Sequence, residues 1–269
     1  MRRANTALDT LTGVVTAATV LAIYAPLAVI CVFSLFPAVR VRGSLELQPF
    51  STQSYAALTR NADIIEALSR SLVVGVLATG LSILAAFAFA LFHARTTGWQ
   101  RAVMQGIVFL PLLFPPIVTG LALLMSFHTL DIARGVATIV VGHVVLIVPI
   151  AYRTMLARLQ SLNPNLIEAS LDLGASQIQT YRFVLWPHLA TAVISAALLS
   201  FALSFDETLV TLFLSGSEMT LPIRLWAMVR LGFVPEVNAL AALILLVAAG
   251  TTVAISLLLR TNGSREAEN

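Results

Sequence analysis

The sequence predicts an all-α integral membrane protein with six transmembrane helices, on three observations. Of its 269 residues, 58% are hydrophobic and only 11% are charged, less than half the roughly 25% of an average soluble domain. The mean hydropathy of +0.92 excludes a disordered chain and is hard to reconcile with a water-facing surface. Six charge-free stretches, 13–36, 71–92, 102–127, 135–152, 189–205 and 237–259, come near the roughly 20 apolar residues that cross a bilayer core.

Taken in order, the first stretch follows Arg2 and Arg3 and could be mistaken for a signal peptide. It is longer than the roughly 7–15 apolar residues of such a leader, so it reads as an uncleaved helix, loosened at Pro26. Segment 37–70 starts with the turn formers Pro37, Gly43 and Pro49 and ends in a helix-like run, 62–69, that leads into the second span. Small residues at Ala86 and Ala90 predict close helix packing. The third span contains Pro111, Pro115 and Pro116, each removing a backbone donor, so it must bend or break. A break at membrane depth is tolerated where protein or a water-filled cavity receives the freed carbonyls. A transport path and a plain kinked packing helix both fit. Pro149 bends the fourth span near one end. Segment 208–217, between Glu207 and Glu218, is too short to span and reads as re-entrant or interfacial. Residues 261–269 form a polar tail.

Six spans put both termini on one side. The Arg bias between the sides is slight, but the short 93–101 loop carries Arg95 and Arg101 and no acid. Short loops weigh most, so both termini are expected in the cytoplasm.

Several chemistries are excluded. All sixteen basic residues are Arg; without Lys there is no Walker-type ATP site and no Schiff-base lysine. Cys31 is the single cysteine, which rules out an intrachain disulfide or a cysteine zinc site. The Arg are scattered singly, not gathered into a nucleic-acid patch. His143 inside the fourth span and His128 at the end of the third raise the alternative of an ion-coupled secondary transporter. A single intramembrane His with no acid nearby in sequence is better read as a polar packing contact.

The strongest local signal lies at 163–187. Asn163 is a good N-cap and Pro164 fits the first helical position. Leu166, Ile167, Leu171 and Leu173 supply an apolar side, and Gly174 stands where a helix ends. Ser176 and Gln179 make a capping box for a second helix, and Pro187 marks a break before the fifth span. A loop that carries its own caps is built to present a surface.

These residues resemble a known motif. Glu168, Ala169 and Ser170, then Gly174, then Val184, Leu185, Trp186 and Pro187 are similar to the EAA loop of bacterial type I ABC importer permeases. The spacing is intact; Ser170, Val184 and Trp186 depart from the family pattern. The stretches around Phe205-Asp206-Glu207, Leu221-Pro222, Trp226 to Arg230 and Pro235 to Leu240 resemble the spermidine/putrescine branch, in particular its second permease.

The resemblance implies a non-catalytic pore subunit of the bacterial inner membrane. Residues 1–62 would be an N-terminal helix and external loop, 63–260 the importer transmembrane domain, and 261–269 the cytoplasmic tail. Residues 165–173 would be the coupling helix, with Asn165, Glu168, Ala169, Ser170, Asp172, Gly174 and Pro187 as ATPase-coupling residues. The implied partners are an ATPase pair that binds ATP and magnesium, a second, non-identical permease and a periplasmic binding protein. No cofactor is expected in this chain. A polyamine path needs acids or aromatic faces that bind without trapping, which makes Asp206, Glu207, Phe205, Trp226 and Tyr152 the candidates. Arg224 and Arg230 beside Trp226 sit awkwardly with a polycation and favour a less basic cargo.

Overall fold

The computed structural model describes residues 2–41, 44–163, 165–231 and 235–266. Its elements are α1 (Arg2–Leu35), β1 (Ala38–Val41), β2 (Ser44–Leu47), α2 (Gln53–Arg60), α3 (Ala62–Arg95), α4 (Gly98–Phe109) and a 3-10 turn (Leu110–Leu113). There follow α5 (Pro116–Thr129), α6 (Val136–Gln160), α7 (Asn165–Asp172), α8 (Gln177–Gln179) and a π-helical turn (Thr180–Leu185). The chain continues through α9 (Trp186–Asp206), α10 (Leu209–Leu214), α11 (Leu221–Leu231) and α12 (Pro235–Glu266). The fold is all-α apart from one small hairpin among the described residues, in which Ala38 pairs with Leu47 and Val41 with Ser44. It occupies the turn-rich segment between Pro37 and Pro49; Gly43 lies outside the described residues.

Among the described residues, four helical segments are long and apolar enough to cross a membrane: Thr10–Leu35, Ala62–Arg95, Val136–Gln160 and Gln177–Asp206. A fifth is broken, with Gly98–Leu113 and Pro116–Thr129 meeting at 106°. Its cause is in the sequence. Pro111, Pro115 and Pro116 remove donors within two turns, and Pro115 adopts an extended ψ of 142° just before α5 restarts on Pro116. The last apolar stretch lies in α12, which is helix from Pro235 to Glu266. The helical chain thus extends past position 261; residues 267–269 lie outside the described residues. Helices generally outrun the charge-free runs, because Arg153 and Arg158 end the apolar stretch of α6 without ending its helix.

The chain divides into two compact units. The first comprises Met1–Ile65 and Leu225–Asn269, where α1 and α2 both pack on α12. Leu21, Ile23 and Tyr24 of α1 lie mostly exposed, as befits a helix facing lipid. Tyr55 of α2 donates to Ser34 Oγ at 2.7 Å, and Ser34 donates to the Cys31 carbonyl at 2.6 Å. Phe36 and Phe50 meet edge to face.

The second unit, Glu66–Arg224, is organised around α6, which packs against α9, α10 and α5. Ile139, His143, Tyr152 and Met155 of α6 are fully buried. Two apolar clusters share its length. One joins Ala86, Ala90, Met104, Tyr152, Met155 and Ala196; the other joins Val74, Ala78, Ile139, Val210 and Leu214. Ala86 and Ala90 are closed off from solvent, as the small-residue spacing predicts. Pro26 and Pro149 sit inside α1 and α6, and neither helix is interrupted there.

Candidate functional site

Helix α7 follows the local rules closely. Asn163 Oδ1 accepts from the Asn165 backbone N–H at 3.0 Å, which satisfies one of the orphan donors of the first turn; Pro164 lies outside the described residues. The helix ends in a Schellman motif. The Gly174 N–H donates to the Leu171 carbonyl at 2.9 Å and the Ala175 N–H to the Ser170 carbonyl at 3.1 Å. Gly174 has φ +83°, a conformation that glycine adopts without steric penalty. Downstream, Gln179 N–H donates to Ser176 Oγ at 3.3 Å and Ser176 N–H to Gln179 Oε1 at 2.7 Å, completing the capping box.

The two faces of α7 differ. Asn165, Glu168, Ala169 and Asp172 are exposed and fall at i, i+3, i+4 and i+7, one stripe along the helix. Leu166, Ile167 and Ser170 are half-buried. Ser170 Oγ lies 2.9 Å from Thr180 Oγ1, which ties α7 to the π turn. Beneath α7 run two clefts. One, of about 210 Å³, is lined by Ile167, Leu171, Tyr181 and Arg95. Arg95 Nε donates to Tyr181 Oη at 2.9 Å, fixing the end of α3 to the turn. The other, of about 310 Å³, holds Arg101 and His93. Just before Gly174, Leu173 is 89% exposed, an apolar side chain left open to its surroundings.

Pro187 does not break the chain. Gln177–Asp206 forms one helical segment, with Pro187 in the first turn of α9. The six-residue π turn just ahead of it widens the backbone, which relieves the clash of the ring with the preceding turn. Among the predicted coupling residues, Asn165, Glu168, Ala169 and Asp172 share the outward stripe and Gly174 closes it. Ser170 turns inward, and Pro187 lies away from the stripe, at the start of α9.

Phe205, Asp206 and Glu207 stand together at the end of α9. Phe205 stacks on Phe201, with centroids 6.0 Å apart. Asp206 is exposed. Glu207 is half-buried, and its Oε1 accepts from the Val210 N–H at 2.9 Å, so its carboxylate is held as a cap on α10. Tyr152 is fully buried, and its Oη lies 2.8 Å from His93 Nδ1, placing it within the apolar core and away from any open surface. Trp226 belongs to the other unit and lies 3.7 Å beneath the Arg230 guanidinium, a cation–π pair.

A family model described as a binding-protein-dependent transport system inner membrane component matches residues 78–261. The chain belongs to this family of inner-membrane permeases. The spermidine/putrescine transport system permease protein PotC of Haemophilus influenzae is 33% identical over 224 residues, 82% of this chain and 86% of that protein. The putrescine transport system permease protein PotI of Escherichia coli is 34% identical over 207 residues, 73% of each chain. Among solved structures, a bacterial ABC transporter involved in the import of alginate aligns over 96% of this chain and 97% of its own, with TM-score 0.67 and 15% identity. An amino acid ABC transporter covers 78% of this chain at TM-score 0.60 and 16% identity. The likeness to both structures is one of fold. As a permease of this family, the chain is a multi-pass, non-catalytic transport subunit.

Some parts of this permease were less visible in sequence. His143 joins three helices: its Nδ1 lies 2.7 Å from Ser204 Oγ of α9 and its Nε2 lies 2.8 Å from Thr211 Oγ1 of α10. Thr211 donates to the Glu207 carbonyl at 2.9 Å, so it accepts from Nε2–H, and Nδ1 accepts from Ser204. With both ring nitrogens engaged by hydroxyls, His143 clasps α6 to α9 and α10. Segment 208–217 turns one side inward, with Val210, Thr211 and Leu214 closed off from solvent while Leu209 and Leu212 stay exposed, a placement that both a re-entrant and an interfacial piece allow. Gly120 and Gly142 make room for it. A Cβ at Gly120 would meet Val210 Cα at 3.1 Å, and one at Gly142 would meet Val210 Cγ1 and Leu214 Cδ1 at 2.6 Å. Glu218 Oε2 accepts from the Val136 N–H at 2.7 Å, at the start of α6. The sequence signals for this assembly were His143, read as a packing contact, and the glycines and hydroxyls inside apolar runs.

Proposed function

We propose that this permease forms half of the pore of an ATP-driven importer for a polyamine or a related small amine, and that α7 is its docking helix for an ATPase subunit. The observation that carries this is the outward stripe of Asn165, Glu168, Ala169 and Asp172 on a helix capped at both ends. Such order in an exposed segment fits a groove on a partner protein. In this account six spans place both termini in the cytoplasm, α12 being the sixth, and α7 faces the cytosol. ATP and magnesium are bound by the ATPase pair, the second permease is a different chain, and a binding protein delivers cargo from outside. The relatives PotC and PotI carry polyamines in their names, which supports the cargo class. Asp206, exposed at the end of α9, is the foremost acid for an ammonium group, with Phe205 beside it. Glu207 contributes through the shape of the α9–α10 corner, since its carboxylate is taken by Val210.

The test is co-purification of the tagged chain from cells expressing its genomic neighbours, then ATP hydrolysis and uptake in proteoliposomes. Co-purified ATPase activity that rises with polyamine-loaded binding protein supports the assignment. Uptake that persists without ATP and collapses with the proton gradient would replace it by an ion-coupled carrier.

A further inference from the structure

Arg101 lacks a counter-charge. It stands in the first turn of α4, its Nε is buried without a hydrogen-bond partner, and it forms no ion pair among the described residues. Arg101 lines the cleft of about 310 Å³ whose other polar residues are His93, Gln160 and Asn163, with Leu166 and Ile167 of α7 as its roof. Among the described residues no Asp or Glu lines it.

Most of the lining is apolar, and its four polar side chains, Arg101, His93, Gln160 and Asn163, all carry donors. Gln105 Nε2, which can only donate, lies 3.4 Å from His93 Nδ1, and Tyr152 Oη lies 2.8 Å from the same atom. Asn163 has its side-chain oxygen engaged by Asn165 N–H, which leaves its amide NH₂ as a donor. A guanidinium, an imidazole N–H and two amides, with no acid among them, match the oxygens of a tetrahedral oxyanion.

We propose that this cleft binds an anion of phosphate chemistry, wedged between the α3–α4 corner and the underside of α7. Two sources share that chemistry: the phosphate of an acidic phospholipid and free phosphate. An apolar groove of about 590 Å³, lined by Phe89, Phe92, Trp99, Val103 and Ile107, runs along the same α3–α4 corner, and Trp99 is 74% exposed. That groove suits an acyl chain. The bound anion braces the roof helix, so its occupancy tunes how firmly α7 is seated. The part concerning α7 rests on the docking function proposed above; the anion site itself does not.

The experiment uses the purified full chain, wild type, Arg101→Gln and Arg101→Lys, in nanodiscs of phosphatidylcholine with or without phosphatidylglycerol. Lipid retention is read by native mass spectrometry, and thermal stability is read against millimolar inorganic phosphate. Retention of phosphatidylglycerol by wild type, at least tenfold reduced in Arg101→Gln and largely kept in Arg101→Lys, identifies the lipid. A phosphate-dependent rise in Tm in wild type and Arg101→Lys, absent in Arg101→Gln, identifies the free anion. Equal lipid retention and equal Tm response in wild type and Arg101→Gln overturn the site, and Arg101 then awaits a carboxylate of a partner protein. Neither readout involves ATP, so loss of the importer assignment would leave this result unchanged.

Discussion

Helices α7 and α10 are both short segments set between longer ones, yet they are built in opposite ways. No side chain of α7 is fully buried, whereas Val210, Thr211 and Leu214 of the six-residue α10 are closed off. Helix α7 is held at its ends, by Asn163 and Gly174, and through the Ser170–Thr180 contact. Helix α10 is held along its length, by glycines that admit its side chains and by the His143 clasp. A segment tied only at its ends keeps a free face and can receive a partner; one wedged along its length moves with the helices around it. The permease thus presents one short helix and seats one side of the other.

That contrast can be broken from either side. In Glu168→Arg the stripe of α7 reverses charge at an exposed position, so we expect ATP-driven uptake to be abolished while Tm and membrane insertion stay within error of wild type. A parallel fall in Tm would show that the residue is structural. Gly142→Leu should act the opposite way, driving a side chain into Val210 and Leu214 and destabilising the fold by about 1–3 kcal/mol or more, read by thermal unfolding in detergent. Gly174→Val forces a β-branched residue to φ +83° and should lower stability by about 1–2 kcal/mol, with a clear loss of uptake because the end of α7 is re-aimed. Ser170→Ala removes one hydrogen bond to Thr180 and should cost about 0.5–1.5 kcal/mol, with uptake reduced but present; complete loss would mean that Ser170 itself meets the partner.

Much of α7 was legible in the sequence because its determinants are local. Asn163, Gly174, Ser176 and Gln179 act within four residues of their targets, and the observed bonds are the ones their types prescribe. The break at Pro111, Pro115 and Pro116 was legible for the same reason. Pro187 was misread as a break because a π turn, which has no simple sequence sign, absorbs the strain. Tyr152 looked like a span-end aromatic, but α6 runs to Gln160 and carries it into the core. The seat of α10 depends on Gly120, Gly142 and Ser204, which are remote from it in sequence, so nothing local announced it. The end of α5 shows how loosely type can bind form: Asp131 takes φ +54° in the Schellman position that Gly174 fills after α7, with Ile132 N–H bonded to the Phe127 carbonyl at 2.8 Å.

The central claim, that the outward stripe of α7 is covered by an ATPase subunit, is tested most directly by accessibility. In a Cys31→Ser background, Glu168→Cys provides a single thiol on the stripe, to be labelled with a membrane-impermeant maleimide in inside-out vesicles. We predict rapid labelling of the chain alone and strong protection once the ATPase subunit is present. Equal labelling with and without an ATPase that demonstrably co-purifies would place the docking surface elsewhere and contradict the account.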